Sequence, residues 1–143
     1  MASAAPSTMG TLMAAGLMEA GRSLAGQSDL DGEVLAEFFD SFCKGIIKRG
    51  RCSPGDRTVL DSIWPAARMA EFVLDNESLA DSAVIIRDAA RFGMESTKEM
   101  EPKFGRAAVL QARTQGLVDQ GAFAGFLMID AICTYLVDRS TSH

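Results

Sequence analysis

Residues 32–49, GEVLAEFFDSFCKGIIKR, constrain the fold more than any other stretch of the chain. Val34, Leu35, Phe38, Phe39, Phe42, Ile46 and Ile47 recur at steps of three and four. That period gathers them on one face of an α-helix and would scatter them over both faces of a strand. Asp31 stands where an N-cap belongs. Lys44, Lys48 and Arg49 fall toward the C-terminal end, where the helix dipole favours cations. Gly50 is expected to take the left-handed conformation that stops the helix. The apolar face of such a helix has to be covered, and the remaining sequence offers helices and no good strand.

Ser7 or Thr8 can cap a first helix that runs through LMAAGLMEAGRSLAG to near Gly26. Gly16 and Gly21 inside it would admit a close neighbour, at a cost in helix propensity. A third helix is expected from near Thr58, carrying Val59, Leu60, Ile63, Trp64, Met69 and Val73, with a kink or re-start at Pro65. A fourth begins near Ser78 and runs toward Pro102, and GAFAGFLMIDAICTYLVD forms the last. Trp64 and the methionines Met9, Met13, Met18, Met69 and Met128 read as core. The expected fold class is therefore all-α, an antiparallel helical bundle, with residues 1–143 forming a single domain. Two irregular stretches interrupt it, residues 50–58 and 102–121. Helix connections are usually roughly two to eight residues long, so a longer one with glycines and isolated charges is where function is sought.

Composition narrows the possibilities. The 143 residues are 48% hydrophobic and 23% charged, which suits a folded globular chain. The net charge is −5 and no lysine/arginine block occurs, which argues against non-specific nucleic-acid binding and against anchoring on anionic membranes. Cys43, Cys52 and Cys133 are odd in number and widely spaced, so neither a disulfide framework nor a zinc motif is suggested. Cys43 and Cys133 are expected to be buried and Cys52 more exposed. The only histidine is the terminal His143, which leaves no histidine base or histidine metal site. No apolar run is expected to reach a membrane span. The N-terminus lacks a basic n-region and carries Glu19, a poor signal peptide, and the expected location is cytoplasmic.

The stretch RGRCSPGDRTVLDSIWPA, residues 49–66, holds more punctuation than a helix connection needs. From the residues alone two readings stay open. It is either a C-cap, a turn and an N-cap, or a bend whose backbone N–H groups and following helix N-terminus face an anion. Arg106 and Arg113 could likewise fork onto phosphate oxygens or form surface ion pairs. Asp119 makes a sound N-cap for the last helix. The carboxylates Glu33, Glu37, Asp40, Asp56, Asp61 and Asp119 form no tight D-x-D pattern, and Glu33 and Glu37 read as a solvated helix face.

Three stretches taken together resemble the nucleotide-binding L domain of dihydroxyacetone kinase, DhaL. They are GRCSPGDRTVLDSIWPA (50–66), KFGRAAVLQARTQGLVDQGA (103–122) and PSTMGTLMAAG (6–16). The first is similar to that family's G-K-x-x-x-G-D-K-T-M-x-D-x-x-x-P. The second is similar to its G-R-A-S-Y-x-G-E-R-S-x-G-x-x-D-P-G-A, and the third to its small-residue turn opening a helix. The resemblance implies an antiparallel barrel of about eight helices with ADP or ATP at one rim. This chain would form its C-terminal two-thirds, a truncated barrel.

Carried over by position, the resemblance implies nucleotide contacts at Ala4 and Ala5 in the small-residue turn and at Gly50, whose backbone would approach the ligand. Val59 would pack near the base, Arg106 would reach the phosphates, and Asp119 and Gly121 would close over the nucleotide. Asp56 and Thr58 would organise the loop. Magnesium is expected for the family on a G-D-x-D-x-G cluster, and no such motif occurs in residues 1–143. Pro6 and Ser7, Ala108 and Val109, Gln111 and Ala112, and Gln120 depart from the family pattern.

The function implied is an ADP/ATP-binding kinase domain for a small ketose, with phosphoryl transfer to a sugar held by a partner subunit or domain. No catalytic residue is assigned to this chain, which by itself is expected to be inactive. A phosphocarrier protein is a possible further partner, and a homo-oligomer is expected. The alternative is a non-catalytic helical binding or regulatory subunit.

Overall fold

In a computed structural model, which describes residues 8–101 and 116–141, the chain is all-helical among the described residues. Five α-helices follow one another: α1 Met9–Ser23, α2 Gly32–Gly50, α3 Leu60–Val73, α4 Leu79–Ser96 and α5 Gln120–Thr141. A short 3₁₀ turn, Thr97–Glu99, extends α4. Thr8 and Asp31 cap their helices as expected, and Ser78, near which the fourth helix is expected to begin, caps it as well. Thr8 Oγ1 accepts from Thr11 N–H, Asp31 Oδ1 from Val34 N–H at 2.8 Å, and Ser78 Oγ from Asp81 N–H. Each satisfies an N–H that the first turn leaves without an intrahelical partner. Ala4 and Ala5 lie outside the described residues, as do residues 102–115 with Arg106 and Arg113.

Consecutive helices pack as neighbours, α1 on α2, α2 on α3, α3 on α4, and α5 on both α4 and α3. The amphipathic face of α2 supplies the centre of the core. Phe39, Phe42 and Ile46 are fully buried there, against Leu60, Ile63, Ile86 and Ile129 from the other helices. Each such side chain contributes about 1.5–3 kcal/mol relative to an exposed one. Close approach of α1 depends on Gly16, where an added Cβ would lie 2.6 Å from the Phe42 ring. Gly21 is different from the expectation: it faces open space and admits no neighbour.

Other expectations also need correcting. Gly50 does not stop α2. Arg51 does, at φ 51°, with its N–H on Ile47 O at 2.8 Å. Gly50 is instead pressed on Leu12, whose Cδ2 would stand 2.8 Å from an added Cβ. Cys52 is buried at 3% exposure, not exposed, with its thiol directed at Ile46 O. Met9, Met18 and Met69 lie on the surface, whereas Met13 and Met128 pack against the core as expected. Trp64 is only partly buried, and the Arg68 guanidinium covers its ring at 4.6 Å. Pro65 does not break α3, which continues to Val73.

One helix, residues 120–140 of α5, is long and apolar enough to cross a membrane by length and composition, contrary to expectation. A core helix meets the same criteria, and Ala122, Phe126, Ile129, Cys133 and Leu136 pack into the core here.

Asp40 ties α2 to α3, receiving Lys44 Nζ at 2.8 Å and Arg68 Nη2 at 2.6 Å. Burial pushes its carboxyl up, but the hydrogen bonds from Lys44 and Arg68 outweigh that and hold it below the ordinary range. A depressed carboxyl adds stability above its unfolded pKa and loses it as pH falls through the folded one. Asp40→Asn is therefore expected to lower the Tm slightly at about pH 7 and to leave it unchanged near about pH 2, which paired thermal melts would check.

Candidate functional site

The bend between α2 and α3 is fastened from within. Ser53 N–H donates to Asp56 Oδ2 at 2.9 Å, and Asp56 N–H returns to Ser53 O at 3.2 Å. Gly55 turns the chain at φ +99°, a conformation suited to glycine. Asp61, in the first turn of α3, reaches back over the bend. Its Oδ1 accepts from Gly55 N–H at 2.6 Å and its Oδ2 from Thr58 N–H at 2.9 Å. Thr58 Oγ1 accepts from Leu60 N–H at 3.1 Å. Asp61 thus reaches back to the Thr58 N–H as in a capping box, while the Thr58 hydroxyl serves the Leu60 N–H two residues on.

This corrects one expectation. The N–H groups of Arg51, Ser53, Gly55, Asp56 and Thr58 are all donated inside the protein, so the bend is not an open cradle of anion donors. Its role is to hold a shape.

A second segment meets the bend from far along the chain. Gly116, at φ +84°, donates its N–H to Lys98 O at 3.0 Å. Asp119 N–H donates to Thr97 Oγ1 at 2.9 Å, and that fully buried hydroxyl donates to Met94 O at 2.6 Å. Asp119 Oδ2 accepts from Ala122 N–H at 3.0 Å, the N-cap of α5. Arg57, only 5% exposed, joins the two segments: its Nη2 donates to Leu117 O at 2.5 Å. Gly121 brings α5 against the bend, since a Cβ there would sit 3.2 Å from Val59 N and 3.1 Å from Asp119 Oδ2.

Val59, Asp119 and Gly121 therefore come together at one end of the bundle. Val59 is itself 1% exposed and covered by the backbone of Gly125, where an added Cβ would lie 3.0 Å from Val59 Cγ2. Gly50 stands at the far side of the bend, under Leu12 of α1. Arg57, Asp61 and Thr97 hold the site together and were given no role from the sequence. Thr58-Val59-Leu60-Asp61 carried a legible signal, the spacing of a capping box. Nothing local marked Thr97.

The electrostatics are those of a partly buried acidic pair beside a cation. Burial pushes the Asp61 carboxyl up against the pull of the Gly55, Thr58 and Arg57 N–H groups. Burial also raises Asp119, opposed by the Ala122 N–H and by the Arg57 guanidinium. Burial pushes the Cys43 thiol up to about 12 and the Cys133 thiol to about 11, and raises Cys52 as well, so none is a thiolate nucleophile at neutral pH. Among the described residues no three His, Cys, Asp or Glu side chains gather to hold a metal ion. The residues described do not fit the magnesium that the resemblance implies. A cleft of about 250 Å³ lies elsewhere, between α2 and α3, but Glu33, Glu37, Asp40, Glu71 and Asp75 line it and would repel a polyphosphate.

An all-helical bundle with a G-D-x-T corner locked to an Asp-x-Gly helix start defines a class, and comparison with known families agrees. Residues 1–134 match the DAK2 domain, and the chain belongs to that family. It is 30% identical to L-erythrulose 1-kinase of Mycolicibacterium smegmatis over 141 residues, which is 94% of this chain and 24% of that protein. It is 32% identical to triokinase/FMN cyclase of Rattus norvegicus over 132 residues, 92% of this chain and 22% of that one. It is also 30% identical to the ADP-binding subunit DhaL of a PEP-dependent dihydroxyacetone kinase of Listeria innocua, over 72% of this chain and 47% of the subunit. The chain thus spans about a quarter of the full-length kinases and less than half of the subunit.

Proposed function

We propose that this chain is the ADP- or ATP-binding part of a kinase acting on a small ketose, with the nucleotide at the rim where residues 51–59 meet residues 116–121. The observation that carries the reading is the junction itself. The two motifs that resemble the family's nucleotide-binding stretches are sixty positions apart, and Arg57 and Gly121 bring them into contact. The printed function of the Listeria relative, an ADP-binding kinase subunit, supports the same reading.

Phosphoryl transfer asks a protein mainly for positioning and charge stabilisation. In this reading the fastened bend is a rigid wall, and Asp119 and Gly121 close one side of the ligand. The phosphates are gripped by Arg106, because the donors of the bend are already engaged. Magnesium, where bound, would neutralise phosphate charge; the described residues supply no cluster for it, and no step is assigned to it. The ketose is held by a separate subunit or domain, and the chain alone binds nucleotide without turning it over. The residues form one nucleotide-binding domain.

The test is a thermal-shift and calorimetric titration with ADP. Wild-type protein is expected to bind, and Arg106→Ala to weaken binding about tenfold to a hundredfold, the loss of a charge-assisted fork. An unaltered affinity removes Arg106 from the site. A second reading, a non-catalytic binding subunit, is favoured by one observation: Phe123, Leu127 and Tyr135 lie 46–57% exposed along one stripe of α5. Self-association through that stripe with no ADP binding would leave this second reading standing.

A further inference from the structure

We propose that Arg57 is the positioning residue of the rim, holding the 116–119 turn on the bend and thereby setting where Asp119 and Gly121 stand. The proposal deepens the nucleotide reading and rests on it for one arm of its test only.

The geometry is specific. Arg57 sits between Asp56 and Thr58 in a left-handed conformation, φ 63°, which non-glycine residues seldom adopt. The bend is fastened around it, because Asp61 takes the N–H groups of Gly55 and Thr58 on either side. The long side chain runs inward. The guanidinium ends 5% exposed, and its bond to Leu117 O bridges sixty positions of sequence.

The turn it holds has a second anchor, Thr97 on Asp119 N–H. The two anchors pull on different groups, a carbonyl at 117 and an amide at 119. Together they hold the two successive peptide groups on either side of Val118, the approach to α5. Without Arg57 the turn keeps the ties at its two ends, Gly116 N–H on Lys98 O and Asp119 N–H on Thr97 Oγ1, but loses the one at its middle, which leaves the Asp119 carboxylate freer to shift. The planar, delocalised guanidinium also presents charge toward that carboxylate while it bonds the carbonyl, a double duty that a compact ammonium meets less well.

The experiment compares wild-type protein, Arg57→Lys and Arg57→Met by amide hydrogen exchange and by ADP titration. Arg57→Met is expected to speed exchange at the Asp119 amide at least tenfold beyond any change at Phe42 in α2, and to raise the Kd for ADP at least tenfold. Arg57→Lys is expected to recover part of both. Should exchange at Asp119 and Phe42 rise by the same factor, Arg57 serves only general stability and the proposal fails. It fails also if the turn loosens while ADP affinity stays unchanged. If wild-type protein binds no ADP, the nucleotide reading falls, and the exchange comparison still decides whether Arg57 holds the turn. Where Arg57→Met does not fold, Arg57→Lys carries both measurements, with a loss at Asp119 selective over Phe42 as the required result.

Discussion

Gly93→Ala is expected to cost about 3 kcal/mol of folding stability, the upper end of what overpacking takes. A Cβ at that position would lie 2.0 Å from the backbone oxygen of Asp61 and 2.7 Å from Pro65 Cγ. Neither group can step aside. Pro65 has no N–H to give the Asp61 carbonyl four residues earlier, and that carbonyl faces Gly93 of α4. Gly93, without a Cβ, leaves room for it. Forcing α4 away would also drag on Asp61, and through it on the whole bend. Urea unfolding checks the claim, with Gly21→Ala as control. Gly21 faces open space on α1, and there alanine is expected to add about 0.5–1 kcal/mol. A Gly93→Ala loss below about 1 kcal/mol would mean that the α3–α4 contact is looser than described.

Asp61→Ala is the second large effect, about 3 kcal/mol, because it strands the amides of Gly55 and Thr58 without their acceptor. ADP affinity is expected to fall with it, since the bend loses its fastening. Asp61→Asn keeps one acceptor oxygen and is expected to lose about half as much. The pH dependence separates the carboxylate from its shape. Burial raises the Asp61 pKa above its unfolded value, so ionisation is less favourable in the folded chain. Stability tied to the protonated form is present below the unfolded pKa and lost as pH rises through the folded one. The advantage of wild-type protein over Asp61→Asn is therefore expected to shrink from acid toward neutral pH. Urea melts across that range decide it, and an advantage that grows toward neutral pH would show that the amide bonds outweigh burial.

Much of the fold was legible because it is written in local chemistry. The three- and four-step recurrence in α2, the caps at Thr8, Asp31 and Ser78, and the start of α5 at Asp119 each need only a few neighbouring residues to be read. Errors arose where tertiary contact decides. Gly50 looks like a helix stop, but Leu12 on another helix claims the space beside it, and the left-handed residue is Arg51. Pro65 looks like a break until Gly93 accommodates the carbonyl it leaves bare. The methionines at 9, 18 and 69 share composition with the core but fall on outward faces.

The site divides in the same way. The resemblance singles out Asp119 and Gly121, and the structure sets them beside Val59. The residues that make the junction, Arg57 and Thr97, act across sixty and twenty-two positions respectively, and no short window contains both ends of either contact.

Arginine in a left-handed conformation at both 51 and 57 means the bend is held against its own preference, at about 1–2 kcal/mol for each residue. A region so loaded relaxes ahead of the scaffold when its ties slacken. On gentle warming, the proposed nucleotide binding is thus expected to fade early, while circular dichroism still reports an intact set of helices. If the nucleotide reading holds, ligand retention is a more sensitive thermometer of this molecule than its helicity.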